Sequence, residues 1–165
     1  MSVELILPAP FDLHGAIFET TPFGLADLDA IYAVELRSHR YPWTLENLRS
    51  SLASQTCIGL RHRGDWVAHA VLSFVMGEAE LLLFVIDKDW QGRGLGSRFL
   101  SLLAQAAKAK AQTLFLEVRA SNDAGVALYA KIGFNQVGLR PNYYPAGSRR
   151  EDALVYALDL PLWES

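Results

Sequence analysis

The hydrophobic positions of this 165-residue chain fall into short stretches whose period changes several times. Met1 to about Gly15 has no sustained period and contains Pro8 and Pro10, so residues 1–15 read as an irregular N-terminal extension. A short strand is expected near Ala16–Thr20. Leu25, Leu28, Ile31, Tyr32 and Leu36 then recur at helical spacing and predict an amphipathic helix. It must end before Pro42, because proline disfavours helical backbone in the residue ahead of it. Thr44 is placed to cap a second helix running to Leu52. Strands are expected over Cys57–Arg61, Trp66–Val75 and Glu80–Ile86, with turns at Arg63-Gly64-Asp65 and Gly77-Glu78-Ala79.

After Ile86 the period changes again. Gln91 to Gly96 is a glycine-rich turn, and Phe99, Leu100, Leu103, Ala107 and Lys110 follow it at helical spacing. Thr113–Val118 reads as a strand. Ser121 or Asn122 then caps a helix carrying Val126, Leu128, Tyr129 and Ile132, which Gly133 ends. Strands over Gln136–Leu139 and Ala153–Leu158 complete one mixed α/β domain spanning residues 16–165.

Half of the residues (51%) are hydrophobic, enough for a core without covalent staples. The net charge of −3 is a poor match for a dedicated nucleic-acid binder. A single cysteine, Cys57, excludes an internal disulfide framework and points to a reducing compartment. Glu4 stands where a secretory signal would be basic, and Pro8 breaks the Leu5-Ile6-Leu7 run. No apolar stretch is long enough to span a bilayer. The expectation is a cytoplasmic protein without nucleic-acid or membrane partners.

A strand, a glycine-rich turn and a helix together make a recurring phosphate site, because a helix N-terminus carries free N–H groups and partial positive charge. Gly92, Gly94 and Gly96 precede the helix here, with Arg93 and Arg98 close by, although an ordinary turn would carry the same glycines. A Walker A loop would end in Gly-Lys-Ser/Thr, whereas this turn ends Leu95-Gly96-Ser97-Arg98. The dinucleotide fingerprint fails at Ser97, and too little chain follows Glu117 for a doubly wound sheet.

Gln91-x-x-Gly94-x-Gly96 after an apolar strand resembles the pyrophosphate loop of the GNAT acetyltransferase superfamily, and the order of elements matches that fold. Three separated blocks resemble its bacterial RimI group of N-terminal acetyltransferases. They are Arg37 to Trp43, Leu116 to Asn122 with Ala127-Leu128-Tyr129 and Gly133-Phe134, and Arg140 to Pro145 with Arg150 to Ala153. The resemblance implies a mixed, mostly antiparallel central sheet flanked by helices. It also implies acetyl transfer from acetyl-CoA, without a metal, to a protein's N-terminal α-amine, typified by the alanine terminus of a small-subunit ribosomal protein.

That chemistry needs a neutral amine, stabilisation of an oxyanion and a proton for the departing thiolate. An α-amine titrates near ~7.7–8.0 and a lysine near ~10.4, so an α-amine needs only mild help from a base. Glu117 is a carboxylate in an apolar strand, which is costly unless it is paired or lines a cleft. It shares a strand face with Phe115 and Arg119, and a salt bridge with Arg119 or a neighbouring strand is the plain alternative. The resemblance makes Glu117 the proton acceptor. Tyr129 fits a core aromatic by pattern, and the resemblance makes it the proton donor. It also assigns the cofactor to Phe84, Val85 and Ile86, to Gln91, Gly92, Arg93, Gly94, Leu95, Gly96 and Ser97, and to Asn122, which also fits a helix cap. The acceptor would lie among Glu35, Tyr41, Trp43, Arg140, Tyr143 and Tyr144. Glu35 is expected to attract an ammonium group or to sit solvated on its helix, and Trp43 fits core packing equally well. A covalent route is not expected, because Cys57 has no motif partner. Direct attack in a ternary complex is the expected mechanism. The competing readings are a small-amine or lysine acetyltransferase and a non-catalytic CoA sensor.

Overall fold

A computed structural model describes residues 2–165. Strands β1 (Phe11–Leu13), β2 (Ala16–Pro22), β3 (Thr56–His62), β4 (Asp65–Val75), β5 (Glu78–Ile86), β6 (Thr113–Arg119), β7 (Asn135–Ala146) and β8 (Arg149–Asp159) form one sheet. Their order is β1-β2-β3-β4-β5-β6-β8-β7. Every neighbouring pair is antiparallel except β5–β6. Helices α1 (Leu28–Ser38) and α2 (Leu45–Ser54) cover one face, and α3 (Leu95–Lys108) and α4 (Asp123–Ile132) cover the other.

The alternation of side chains along β6 divides the core. Leu114, Leu116 and Val118 are buried with Phe99, Leu100 and Leu103 of α3. Phe115, Glu117 and Arg119 face the other way and are only half-buried, because α1 and α2 pack over β3 to β5 instead. Ile31 and Val34 of α1 meet Val71, Leu83 and Val85 there.

β5 and β6 pair only from Glu78↔Thr113 to Leu81↔Leu116 and then part. The cause lies on the far edge of β5. Opposite β4, Val71 pairs with Leu83 and Leu72 with Leu81, so Leu82 is an extra residue. Such a bulge bends its strand and increases the local twist. Beyond it, the β6-facing edge of β5 and the β5-facing edge of β6 have no strand partner, and a wedge opens between them.

The helix limits follow the local chemistry. Thr44 accepts the Asn47 N–H at the start of α2, Asn122 Oδ1 accepts the Gly125 N–H at the start of α4, and Gly133 ends α4 at φ 119°. Three expectations need correction. The segment read as an irregular extension contributes β1, and Leu5 and Phe11 are buried in the α3-side core. The last hairpin is longer than expected: Pro141 and Pro145 are tolerated because β7 is an edge strand, and Asn142 at φ 49° takes up the irregular register between Arg140 and Tyr144. The turn before β5 is Met76-Gly77, both at positive φ, while Glu78 and Ala79 already belong to the strand.

Candidate active site

The wedge leads into a cavity of about 640 Å³ lined by Phe84, Val85 and Ile86 on one side and Ser121 to Gly125, Leu128 and Tyr129 on the other. Gln91, Gly92 and Gly96 close one end. Gly94 sits ahead of α3 at φ 85° and offers no side-chain cap, so the first N–H groups of the helix are left for another acceptor. A Cβ at Gly92 or Gly94 would meet nothing within 4 Å, so the turn lies open for a group to approach its backbone. Gln91 Nε2 donates to Ile86 O at 2.9 Å and ties this turn to the end of β5. Arg93 packs over Trp90, while Leu95 is fully buried and anchors α3. Ser97 lies in the first turn of α3. An open glycine cradle at an uncapped helix N-terminus suits a pyrophosphate, and a free strand edge suits an extended amide-bearing arm. These features fit acetyl-CoA.

A second cavity of about 280 Å³ shares Phe84, Arg119, Asn122, Tyr129, His39 and Tyr41 with the first, and adds Glu117, Trp43 and Tyr144. Glu117 and Tyr129 therefore border one continuous space. Glu117 Oε1 accepts from Arg140 Nε at 2.7 Å, so the carboxylate is paired across β8 rather than with Arg119. Its negative charge, with some burial, raises the Tyr143 phenol above its ordinary range. Burial first, then Glu117, pushes Tyr144 up to about 12. Tyr129 is buried against Phe134 and Tyr156. Burial, followed by the neighbouring Tyr144, drives its phenol far above its usual range and keeps the proton on it at neutral pH.

Arg119 holds the rim together. Its guanidinium lies 3.5 Å from the Tyr41 ring centre and 4.4 Å from that of Tyr144. The same group donates to Pro145 O at 2.7 Å and to Glu151 Oε1 at 3.0 Å. Tyr41 and Tyr144 thus stand close to Glu117, while Tyr143 is 44% exposed on the outer rim beside Arg140. Trp43 is half-buried, packs on the α1–α2 core as the pattern allowed, and also lines the second cavity.

Glu35 is the misplaced candidate. It is fully buried, so it is neither solvated nor exposed to attract an ammonium group. Its Oε2 lies 2.6 Å from His39 Nδ1 and accepts the Trp43 N–H at 3.2 Å, and its Oε1 lies 2.8 Å from His69 Nε2. Burial alone would raise its carboxyl, but the bonds to His39 and His69 outweigh it and hold the group well below the usual carboxylate range. Sequence reasoning did not single out Arg119, Glu151 or His39 for the site. The four-residue step from Glu35 to His39, which puts both on one helix face, was the available signal for the last of these.

Residues 24–134 match the family model described as Acetyltransferase (GNAT) family. The chain belongs to that family and is an acetyl-CoA-dependent N-acetyltransferase. It is 39% identical over 138 residues to the [ribosomal protein bS18]-alanine N-acetyltransferase of Escherichia coli K12, covering 82% of this chain and 93% of the relative. The Haemophilus influenzae enzyme of the same name is 38% identical over 134 residues, 79% of this chain and 91% of the relative. The crystal structure of the E. coli ribosomal-protein-S18-alanine N-acetyltransferase superimposes with a TM-score of 0.81 at 36% identity, over 87% of this chain and 94% of that one. Ard1 of Thermoplasma volcanium, at 23% identity and a TM-score of 0.74, shares the fold.

Proposed function

We propose that this enzyme acetylates the N-terminal α-amino group of a cytoplasmic protein, the alanine terminus of a small-subunit ribosomal protein, by direct attack in a ternary complex. The observation that carries the chemistry is the single space bordered by the Glu117 carboxylate and the Tyr129 phenol, where β5 and β6 part. Names of relatives over most of the chain support the acceptor.

Acetyl-CoA, when bound, supplies the thioester carbonyl. The α3 N-terminus and the Gly92–Gly96 turn hold its pyrophosphate, and the free edge of Phe84–Ile86 offers backbone N–H groups to the arm and to the oxyanion. Glu117 accepts a proton from the attacking amine. Tyr129, kept protonated by its burial, gives one to the departing sulfur. Tyr41, Trp43 and Tyr144 wall the first residues of the acceptor. Arg140 and Tyr143 stand at its outer edge.

The test is acetyl transfer to a peptide beginning with alanine, the same peptide with a blocked α-amine, and an internal-lysine control. Transfer confined to the free α-amine is expected. Glu117→Gln should lower kcat by about 10²–10⁴-fold while acetyl-CoA still binds. Transfer to the lysine control, or to no peptide despite tight acetyl-CoA binding, would refute the acceptor assignment.

A further inference from the structure

Of the two histidines bonded to the buried Glu35, one adjoins the reaction space. Both carboxylate oxygens of Glu35 are engaged by imidazoles, and no water-exposed edge remains. An ionised carboxylate only accepts, so each histidine must donate to it. This fixes the tautomers: His39 presents Nδ1–H to Glu35 and His69 presents Nε2–H.

The two histidines then differ. His69 is fully buried, and its Nδ1 has no partner among the described residues. It lines neither cavity and serves as a fixed donor to Glu35. The His39 side chain is 36% exposed and borders both cavities. With Nδ1 turned inward to Glu35, its Nε2 is the nitrogen left for the cavity.

Acetylation of an α-ammonium group releases two protons from one nitrogen. The first must leave before attack and the second as the C–N bond forms. Glu117, paired with Arg140, is one acceptor for these. We propose that His39, oriented by the buried Glu35–His69 pair, is the second: a proton-accepting side chain that takes the first proton from the acceptor's ammonium through Nε2. This inference rests on the α-amine acceptor proposed above. The electron pair stays on the amine nitrogen, and the proton passes from His39 to solvent through the open cavity. The amine then attacks and the C–S bond breaks. Glu117 takes the second proton as Tyr129 protonates the sulfur, and return of that proton from Glu117 to Tyr129 restores both groups. One proton reaches bulk water and one ends on the thiol, so the step balances.

Other charged or titratable groups also face this space. Arg40 and Tyr41 come from the loop after α1, Asp123 and Tyr129 from α4, Glu117 and Arg119 from β6, and Tyr144 from β7. His39 is the one imidazole among the described lining residues, and imidazole is the group whose ordinary range falls near neutrality.

The experiment measures kcat/KM against pH with a free-α-amine peptide for the native enzyme, His39→Asn and His39→Ala. Asparagine keeps an N–H donor for Glu35 but cannot titrate. A loss of about 10²-fold at pH 7 is expected, shrinking as pH rises past ~8, where the amine loses its proton unaided. Acetyl-CoA affinity should stay within about twofold, and added imidazole should restore part of the His39→Ala rate. A His39→Asn profile equal or parallel to the native one at every pH, with no imidazole rescue, would overturn the role of His39 and leave α-amine acetylation standing. Failure of the native enzyme to acetylate any free α-amine would remove the proposed function and this inference together.

Discussion

At the scale of single residues, Glu35 shows how burial rewrites what a side chain does. A glutamate on an amphipathic helix reads as solvated or substrate-facing, yet α1 turns it inward onto His69 of β4. The energetic consequence depends on pH. Burial raises its carboxyl, but the hydrogen bonds from His39 and His69 lower it further, from an ordinary 4.5 to about 2. A depressed folded-state value means the unfolded chain binds its proton first as acid is added. The stabilisation is therefore complete above about pH 4.5 and is lost as pH falls towards 2. Glu35→Gln should cost about 2–3 kcal/mol at pH 7, the range for hydrogen bonds to a buried charge. Urea unfolding of both proteins between pH 7 and pH 3 should show that gap narrowing with acid. A gap independent of pH would mean that packing, not charge, holds the cluster. Glu117 was more legible, because a carboxylate within a strand must be paired or face a cleft, and here it does both. Its partner Arg140 was not, because the long-range register that carries β7 alongside β8 has no local signature.

At the scale of elements, period and punctuation gave helices α1 to α4 and strands β2 to β6 to within a few residues, because each helix buries one face and each element ends at recognisable caps or turns. The wedge between β5 and β6 was not visible in that pattern. It depends on one unpaired residue, Leu82, whose bulge appears only when β4 and β5 are in register. β3 lies under α2 and β4 under α1, and Gly59 shows how closely the two strands pack. A Cβ there would stand 2.6 Å from the Trp66 ring and 2.8 Å from the Ala68 carbonyl oxygen. Neither neighbour is free to give: the carbonyl belongs to the ladder, and Trp66 is held between the Arg61 guanidinium at 4.2 Å and the edge-on Phe23 ring. Gly59→Ala should therefore destabilise by about 2 kcal/mol, the usual cost of overpacking. A lowered urea midpoint with an unchanged slope would confirm it, and an unchanged midpoint would mean that the two strands can separate slightly at no cost.

At the scale of the whole molecule, two sets of long-range contacts have different jobs. Arg119 joins the α1–α2 loop to the last hairpin through Tyr41, Tyr144 and Glu151, so the rim of the second cavity is assembled from three separate parts of the chain. The N-terminal segment, read from sequence as an extension, works on the other side of the sheet. Val3 exchanges two hydrogen bonds with the Thr56 hydroxyl, at 3.1 and 2.8 Å, and delivers Leu5 to the core beneath β3. Arg98 of α3 covers Phe11 at 5.1 Å. Short apolar runs broken by Pro8 and Pro10 carry no period, so this role was hidden until the rest of the sheet existed to receive them. Leu5, 8% exposed, should contribute about 2 kcal/mol, and Leu5→Ala should lower Tm by about 4–8 °C in a domain of this size. Neither wedge cavity is lined by these residues, so acetyl-CoA affinity and transfer kinetics at 25 °C should match the native enzyme. A Tm loss with native kinetics would make the segment part of the scaffold. Native stability would make it an appendage, and altered acetyl-CoA affinity would tie it to the α3 end of the cofactor cleft.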